Sequence, residues 1–114
     1  MDINELIYNT LLPLGVPVVL EECQIVPLPD EFIVIERMYG DERWYADNVS
    51  GCDYHVYRIN YYGTSKAKRQ QMMDKIKDAM KAAGFYLQEH NGAITRDANA
   101  KYWGAYSIFN YWES

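Results

Sequence analysis

The sequence predicts an α+β domain in which one antiparallel or mixed sheet carries an N-terminal helix and one long helix. Three observations predict this class. Apolar residues recur at helical spacing in two segments, they alternate with a period of two in others, and glycine, proline and asparagine separate the segments. At 114 residues the chain has the usual length of one domain, so residues 1–114 are predicted to form a single unit.

The N-terminal helix is predicted from five apolar residues at helical spacing, Ile3, Leu6, Ile7, Leu11 and Leu14. Asp2 is suited to cap its first turn, with Glu5 three positions later to complete a capping box. Gly15 breaks the pattern and ends the helix. The short β-branched stretch 16–20 that follows predicts the first strand.

Two further strands are predicted before the long helix. At the centre of residues 31–37, the side chains that would point to either face of a strand are apolar. This is typical of a strand inside a sheet. Residues 53–62 show the clearest alternation, with Tyr57, Ile59 and Tyr61 on one side and Val56, Arg58 and Asn60 on the other. The polar stretch 38–53 between them is rich in turn-forming residues and predicts a short strand or a protruding loop.

The long helix is predicted from about Lys66 to Ala83, with an N-cap offered by residues 63–65. Its apolar stripe consists of Met72, Ile76, Ala79, Met80 and Ala83. Gly84 stands where a glycine commonly ends a helix. The outer face is rich in lysine, and such a face on a surface helix is ordinarily solvated.

The C-terminal part predicts a hairpin and a last strand. Residues 85–90 form a strand, Asn91 and Gly92 form a type I′ turn, and residues 93–96 form a short return strand. The stretch 102–112 is long and aromatic, and it predicts the final strand. We expect this strand to share one sheet with residues 32–37, 54–62 and 85–89.

The charge is unevenly distributed along the chain, whose net charge is −5. Residues 1–62 carry 11 acids and 3 bases, whereas residues 63–84 carry 2 acids and 6 bases. Only one helix is basic, and a protein that neutralises phosphates needs a basic face, so we expect no direct recognition of nucleic acid. No apolar run is long enough to span a membrane, and the N-terminus lacks the basic region of a signal peptide.

The sequence predicts neither a metal site nor a disulfide. Two cysteines are too few for a disulfide framework, and we expect both to be reduced. Cys52 and His55 could bind zinc together with Cys23 and His90, but structural zinc sites ordinarily use two closely spaced pairs and only one is present. We expect His55 to point to solvent.

No catalytic site is predicted either. Cys52 and His55 are three residues apart, a spacing that points two strand side chains to opposite faces. The loose acidic cluster of Asp41, Glu42, Asp47 and Asp53 lacks the spacing of a calcium loop. We therefore predict a protein that is not an enzyme and uses no cofactor.

The order of elements resembles a known family. The resemblance rests on five segments that follow one another along the chain. They are an amphipathic helix before residues 16–18, the strand 32–35, residues 45–48, the tyrosine-bearing strand 57–62, and a helix that ends at residues 83–85. In this order, with an aromatic strand at the end, the chain resembles the small tail-completion or tail-terminator proteins of long-tailed bacteriophages and of prophages in Gram-positive bacteria.

The resemblance implies a structural role. Such proteins cap the growing tail tube as a ring, usually a hexamer, stop its polymerisation and present a surface to the head connector. The implied partners are therefore other copies of the chain, the tail-tube protein and the head connector protein. The implied location is the tail of the virion, reached from the cytoplasm of the bacterial host during assembly.

We predict that the polar stretch holds part of a subunit or partner interface, because buried Trp, Tyr and Arg anchor many interfaces. The residues concerned are Arg43, Trp44, Tyr45, Asp47 and Asn48. Alternative functions are another small head–tail connector component or a cytoplasmic interaction domain. An enzymatic or small-molecule-binding domain built on His55, His90 and the acidic loop would need a deep pocket with convergent polar groups.

Overall fold

The computed structural model describes residues 3–20, 29–39, 53–94 and 102–113. In chain order the elements are α1 (Ile3–Leu11), β1 (Val18–Leu20), β2 (Glu31–Tyr39), β3 (Asp53–Gly63), α2 (Lys66–Ala82), β4 (Tyr86–Ile94) and β5 (Trp103–Glu113). The predicted α+β class is confirmed, as are a helix near the N-terminus and a longer helix packed on a sheet.

The sheet of the described residues has the strand order β1-β2-β3-β5-β4. It is mixed, because β1 runs parallel to β2 whereas all the other neighbours are antiparallel. The central pair is β3 with β5, matched without a break from Asp53 opposite Glu113 to Gly63 opposite Trp103. The four strands predicted to share one sheet therefore do so.

Both helices pack against the same face of the sheet, which we call the covered face and which bears Ile33, Ile59 and Phe109. The helices bury against it a set of apolar side chains, namely Ile3, Ile7, Leu11, Met72, Met73, Ile76 and Met80. Each such side chain contributes roughly 1.5–3 kcal/mol when it is removed from water. The predicted stripe of α2 is thus confirmed at Met72, Ile76 and Met80, and Met73 joins it.

Both helices end where the sequence predicts. A short 3-10 turn, Leu12–Leu14, follows α1, and Gly15 then adopts a φ of 79° that closes it. At the start of α2 the side chain of Ser65 accepts a hydrogen bond from the backbone N–H of Lys68 at 3.3 Å. At its end Gly84 has a φ of 99°, a conformation that glycine adopts without strain.

The predicted hairpin at Asn91 and Gly92 is wrong. These residues lie inside β4, which continues to Ile94 and pairs with β5, with two register shifts near Glu89. The physical reason is tertiary packing. The ring of Tyr106 lies across Gly92, and a Cβ atom at that position would collide with it. Glycine is needed here for close approach rather than for a turn.

Candidate interaction surface

The second face of the sheet, which we call the open face, bears Val34, Arg58 and Tyr106. No helix of the described residues packs on it, and its buried apolar residues Val56 and Ile108 lie outside the main core cluster. Successive strand residues point to opposite faces, so the period of two in β3 places the open face directly behind the core. This surface is the largest described part of the sheet left without a helix.

One end of the open face is aromatic. The rings of Phe32 and Tyr62 stack with their centroids 5.1 Å apart, and Tyr102 meets Phe32 edge-on at 5.5 Å. The Tyr102 hydroxyl donates a hydrogen bond to the Pro29 carbonyl at 2.6 Å, which holds this corner in place. Burial raises the pKa of Tyr62 above the ordinary value for tyrosine.

The centre of the open face is polar. Glu36 lies directly opposite Arg58 in the register of β2 and β3. Its carboxylate accepts a hydrogen bond from Asn60 Nδ2 at 3.4 Å, and the same amide donates to the Val34 carbonyl at 3.3 Å. Asn60 is buried, and these bonds satisfy its amide nitrogen.

Arg58 turns away from Glu36 and lies on the ring of Tyr106, with its Cζ atom 4.1 Å from the ring centroid. The Tyr106 hydroxyl donates to Glu89 Oε2 at 2.6 Å, and this bond raises the pKa of Tyr106. Because the ring also lies across Gly92, it contacts residues from both neighbouring strands. Arg58 is therefore stacked on an aromatic ring that other contacts hold in place.

The other end of the open face exposes large aromatic side chains. Tyr86 is 65% exposed and Trp112 is 51% exposed. Tyr86 pairs with Asn110 across β4 and β5, and Trp112 follows Asn110 on the same face of β5. Tryptophan and tyrosine are enriched at protein–protein interfaces, so these exposed rings mark this end as a candidate contact surface.

The interface residues predicted from the sequence, Arg43, Trp44, Tyr45, Asp47 and Asn48, lie outside the described residues. That interface therefore stays a prediction. The sequence did not mark the open face as a site, although the alternation of Val56, Arg58 and Asn60 identified one side of β3. The partners of that side come from β2, β5 and β4, and they follow only from the strand register.

The histidines occupy separate positions in the sheet. His55 is 8% exposed, so the expectation that it points to solvent is wrong. It lies two residues before Tyr57 and shares the covered face with it, where the period of two in β3 places it. His90 is on β4, separated from β3 by the whole of β5.

His90 bridges a buried serine and a helix carboxylate. Its Nδ1 atom is 2.9 Å from Ser107 Oγ, and its Nε2 atom is 3.4 Å from Asp74 Oδ1. A hydroxyl, an imidazole and a carboxylate in contact are also the parts of a hydrolytic triad. Ser107 has no exposed surface, so a substrate carbonyl does not reach its hydroxyl in this structure. The contacts tie α2 and β4 to β5.

A small cavity of about 330 Å³ lies where β2, β3 and the start of α2 meet, lined by Asp30, Glu31, Tyr61, Thr64, Ser65 and Lys68. Glu31 accepts hydrogen bonds from the Tyr61 hydroxyl at 2.7 Å and from Lys68 Nζ at 2.9 Å. The bond from Tyr61, with help from Lys68, lowers the pKa of Glu31. Burial, and then the same bond, raises the pKa of Tyr61. The Glu31 carboxylate, the Tyr61 hydroxyl and the Lys68 ammonium group are therefore joined by hydrogen bonds.

Cys23 and Cys52 of the considered zinc site, and Asp41, Glu42 and Asp47 of the acidic cluster, lie outside the described residues. Among the residues that the structure does describe, no group of three or more His, Cys, Asp or Glu side chains is arranged to hold a metal ion. In the same ranges no helix is long and apolar enough to cross a membrane.

The basic helix α2 uses several of its cations internally. Lys66 and Arg69 lie over the ring of Trp103 at 5.0 and 5.8 Å from its centroid, and Lys68 pairs with Glu31. Half of the six bases in this segment are therefore engaged within the chain. The open face carries exposed aromatic rings at one end and Arg58 at its centre. No protein-family model matches the sequence, and no curated protein matches it.

Proposed function

We propose that this chain is a structural protein of a bacteriophage or prophage virion that completes or terminates the tail tube and helps join the tail to the head. The observation that carries the proposal is the open face, where a stacked Arg58 lies between two aromatic ends. A surface of this kind suits a protein whose task is to contact other proteins. The order of elements that resembles tail-completion proteins gives the contact its biological setting.

Several features of the chain support a binding role over a chemical one. The open face presents rings that are already fixed by neighbours, such as Tyr106 and Phe32, and fixed side chains lose little entropy on binding. The polar network at His90 is built around the fully buried Ser107. The cavity at Glu31 is small and internally paired. We propose no enzymatic activity and no cofactor.

The proposed partners are other copies of the chain in a ring, usually a hexamer in such proteins, together with the tail-tube protein and the head connector protein. The proposed location is the virion tail, with assembly in the cytoplasm of the host. Another connector component, or a cytoplasmic interaction domain, would use the same surface. The position of the gene separates these roles, because tail-tube and tape-measure genes should lie just downstream of a tail-completion gene.

The decisive experiment is deletion of the gene in an inducible phage, followed by electron microscopy of the lysate. We expect full heads accompanied by unjoined or overlong tails, and rescue when the gene is supplied in trans. Normal infectious particles in the deletion lysate would overturn the proposed function, whatever oligomer the purified protein forms.

A further inference from the structure

Arg58 and Glu36 are neighbouring opposite charges that do not pair with each other. They stand directly opposite in the register of β2 and β3, where side chains are ordinarily close enough to interact. Yet Arg58 makes no hydrogen bond or ion pair with another described residue, and its guanidinium lies instead against the ring of Tyr106. Its Nε atom is buried without a hydrogen-bond acceptor.

The acids around Arg58 are engaged elsewhere. Glu36 accepts from Asn60 through Oε1, and Glu89 accepts from Tyr106 through Oε2. A guanidinium carries five donors in a rigid fork that matches a carboxylate. Stacking on Tyr106 holds this fork in one orientation, so it is prepared for an acceptor that the described part of the chain does not supply.

Adjacent opposite charges make a surface complementary to its own copy. When two identical faces meet about a twofold axis, residue i of one contacts residue j of the other, and j contacts i in return. We propose that two copies of this chain associate through their open faces, with Arg58 of each copy bound to the Glu36 carboxylate of the other. This pairing goes beyond the proposed function and does not depend on it.

The size of the face fits a weak, reversible contact. Four strands about 4.8 Å apart and four rows of side chains about 6.8 Å apart give a patch of roughly 500 Å² on each copy. The total of roughly 1,000 Å² is at the lower end for specific protein–protein interfaces. The stacked Phe32 and Tyr62 at one end and the exposed Tyr86 at the other supply the apolar part of the contact.

A second copy suits the face better than a nucleic acid does. Glu36 and Glu89 flank Arg58, and both would repel a chain of phosphates. Phosphate backbones are bound by several Lys or Arg side chains together, and Arg58 is the one cation among the described residues at the polar centre of this face. When the same surface is turned around, Arg58 and Glu36 of one copy can each meet the opposite charge of the other copy.

Charge reversal tests the pairing directly. In sedimentation or light-scattering measurements at low ionic strength, we expect the purified protein to dimerise weakly. Arg58→Glu and Glu36→Arg should each reduce the association constant by about tenfold or more, because each creates two like-charge contacts by symmetry. Arg37→Glu is the matched control, since Arg37 is exposed next to Glu36 on β2 and its side chain points to the opposite face. We expect that control to associate like the parent.

The decisive step is to mix the two single variants. At positions 36 and 58 the Arg58→Glu copy carries two carboxylates, and the Glu36→Arg copy carries two guanidinium groups. Both cross-contacts between unlike copies are therefore attractive, so the mixture should form a heterodimer at concentrations at which each variant alone stays mostly monomeric. The double variant should regain the homodimer for the same reason. Circular-dichroism melting of each variant establishes that it is folded, which separates lost association from lost structure.

Four results would overturn the proposal. The first is a parent protein that stays monomeric at high concentration and low ionic strength. The second is a dimer that survives either charge reversal. The third is a mixture of the two variants that fails to restore association. The fourth is a monomeric protein that binds a short single-stranded oligonucleotide through Arg58, which would assign the face to phosphate. The measurement uses purified protein, so its outcome is independent of the gene-deletion phenotype.

Discussion

The two faces of the sheet are formed by the same strands but are held by different kinds of contact. The covered face is filled by aliphatic and methionine side chains from both helices, and its contacts are non-directional. The open face is held by directed contacts, such as Arg58 on Tyr106 and Tyr106 to Glu89. On β3, Ile59 belongs to the core and Arg58 to the surface behind it. Alternation along one strand thus gives its two faces different kinds of contact.

The largest effect should come from breaking the covered face at its centre. Ile76 has no exposed surface, and Ile76→Asp would remove its apolar burial and place a carboxylate where nothing hydrates it. The loss should exceed about 4 kcal/mol, a large part of the roughly 5–15 kcal/mol by which small domains are stable. We therefore expect no cooperative thermal transition, as measured by circular-dichroism melting.

Gln71→Asp is the control for that variant, because Gln71 is exposed on the same helix and the new carboxylate stays in water. We expect its cooperative transition to persist near the parent's melting temperature. A cooperative transition in Ile76→Asp would contradict the packing of α2 on the sheet.

The next effect concerns the open face at Gly92. In Gly92→Ala the new methyl group meets the ring of Tyr106, which is held by Glu89 and by Arg58. Forcing that ring aside should cost about 1–3 kcal/mol of unfolding free energy in a urea titration. Ala93→Ser, at the exposed neighbouring position, should change stability by less than about 0.5 kcal/mol. Equal stabilities of the two variants would show that the ring moves freely.

A smaller effect is expected at the start of the helix that covers the sheet. Ser65→Ala removes the side-chain oxygen that accepts from the Lys68 backbone N–H, and the loss of an N-cap costs about 1 kcal/mol. Thermal or urea unfolding measures the difference. Thr64→Ala, one residue earlier and also exposed, is the control and should be close to neutral. If Thr64→Ala is as harmful as Ser65→Ala, the cap is misassigned.

The smallest effect is a dependence on pH where the two strands meet the helix. The pKa of Glu31 is lowered in the folded chain, so its contribution to stability is present above the unfolded pKa and is lost as the pH falls through the folded value. In Glu31→Gln we expect a shallower loss of unfolding free energy below about pH 4. The difference should be below about 1 kcal/mol, because half of the Lys68 side chain is exposed and water screens its pair with Glu31.

Asp78→Asn is the control for this pH dependence, because Asp78 is exposed on α2. Below about pH 4 its unfolding free energy should fall with pH as that of the parent protein does. If the unfolding free energies of Glu31→Gln and the parent fall identically in this range, the lowered pKa of Glu31 is contradicted.

Local patterns predicted the elements of this fold well. The period of two in β3 and the stripe Met72, Ile76 and Met80 reflect contacts that every sheet and every amphipathic helix must make. The pair Asn91 and Gly92 led to a wrong prediction, because a turn is predicted from neighbouring residues alone. The packing of Tyr106 on Gly92 instead joins residues that are distant in the sequence. The local sequence does not distinguish a glycine that a strand needs for close packing from a glycine that a turn needs.

The candidate site was harder to predict from the sequence. Arg58 could be assigned to the side of β3 opposite Ile59, but its contact with Tyr106 depends on the pairing of β3 with β5. The hydrogen bond from Tyr106 to Glu89 depends in turn on the shifted register of β4. Long-range pairings of this kind are set by the whole fold, and a single sequence does not encode them in any local window.

The central pairing of the sheet has a consequence for how the protein is made. β3 joins β5 between residues 40 to 60 positions apart, because Gly63 pairs with Trp103 and Asp53 with Glu113. Contacts this distant in sequence slow folding, since a long loop must close before they form. At roughly 5–20 residues per second, synthesis of the roughly 40 residues between the strands takes roughly 2–8 s. During that interval one edge of β3 has no partner strand, and the nascent chain is open to aggregation or to chaperones.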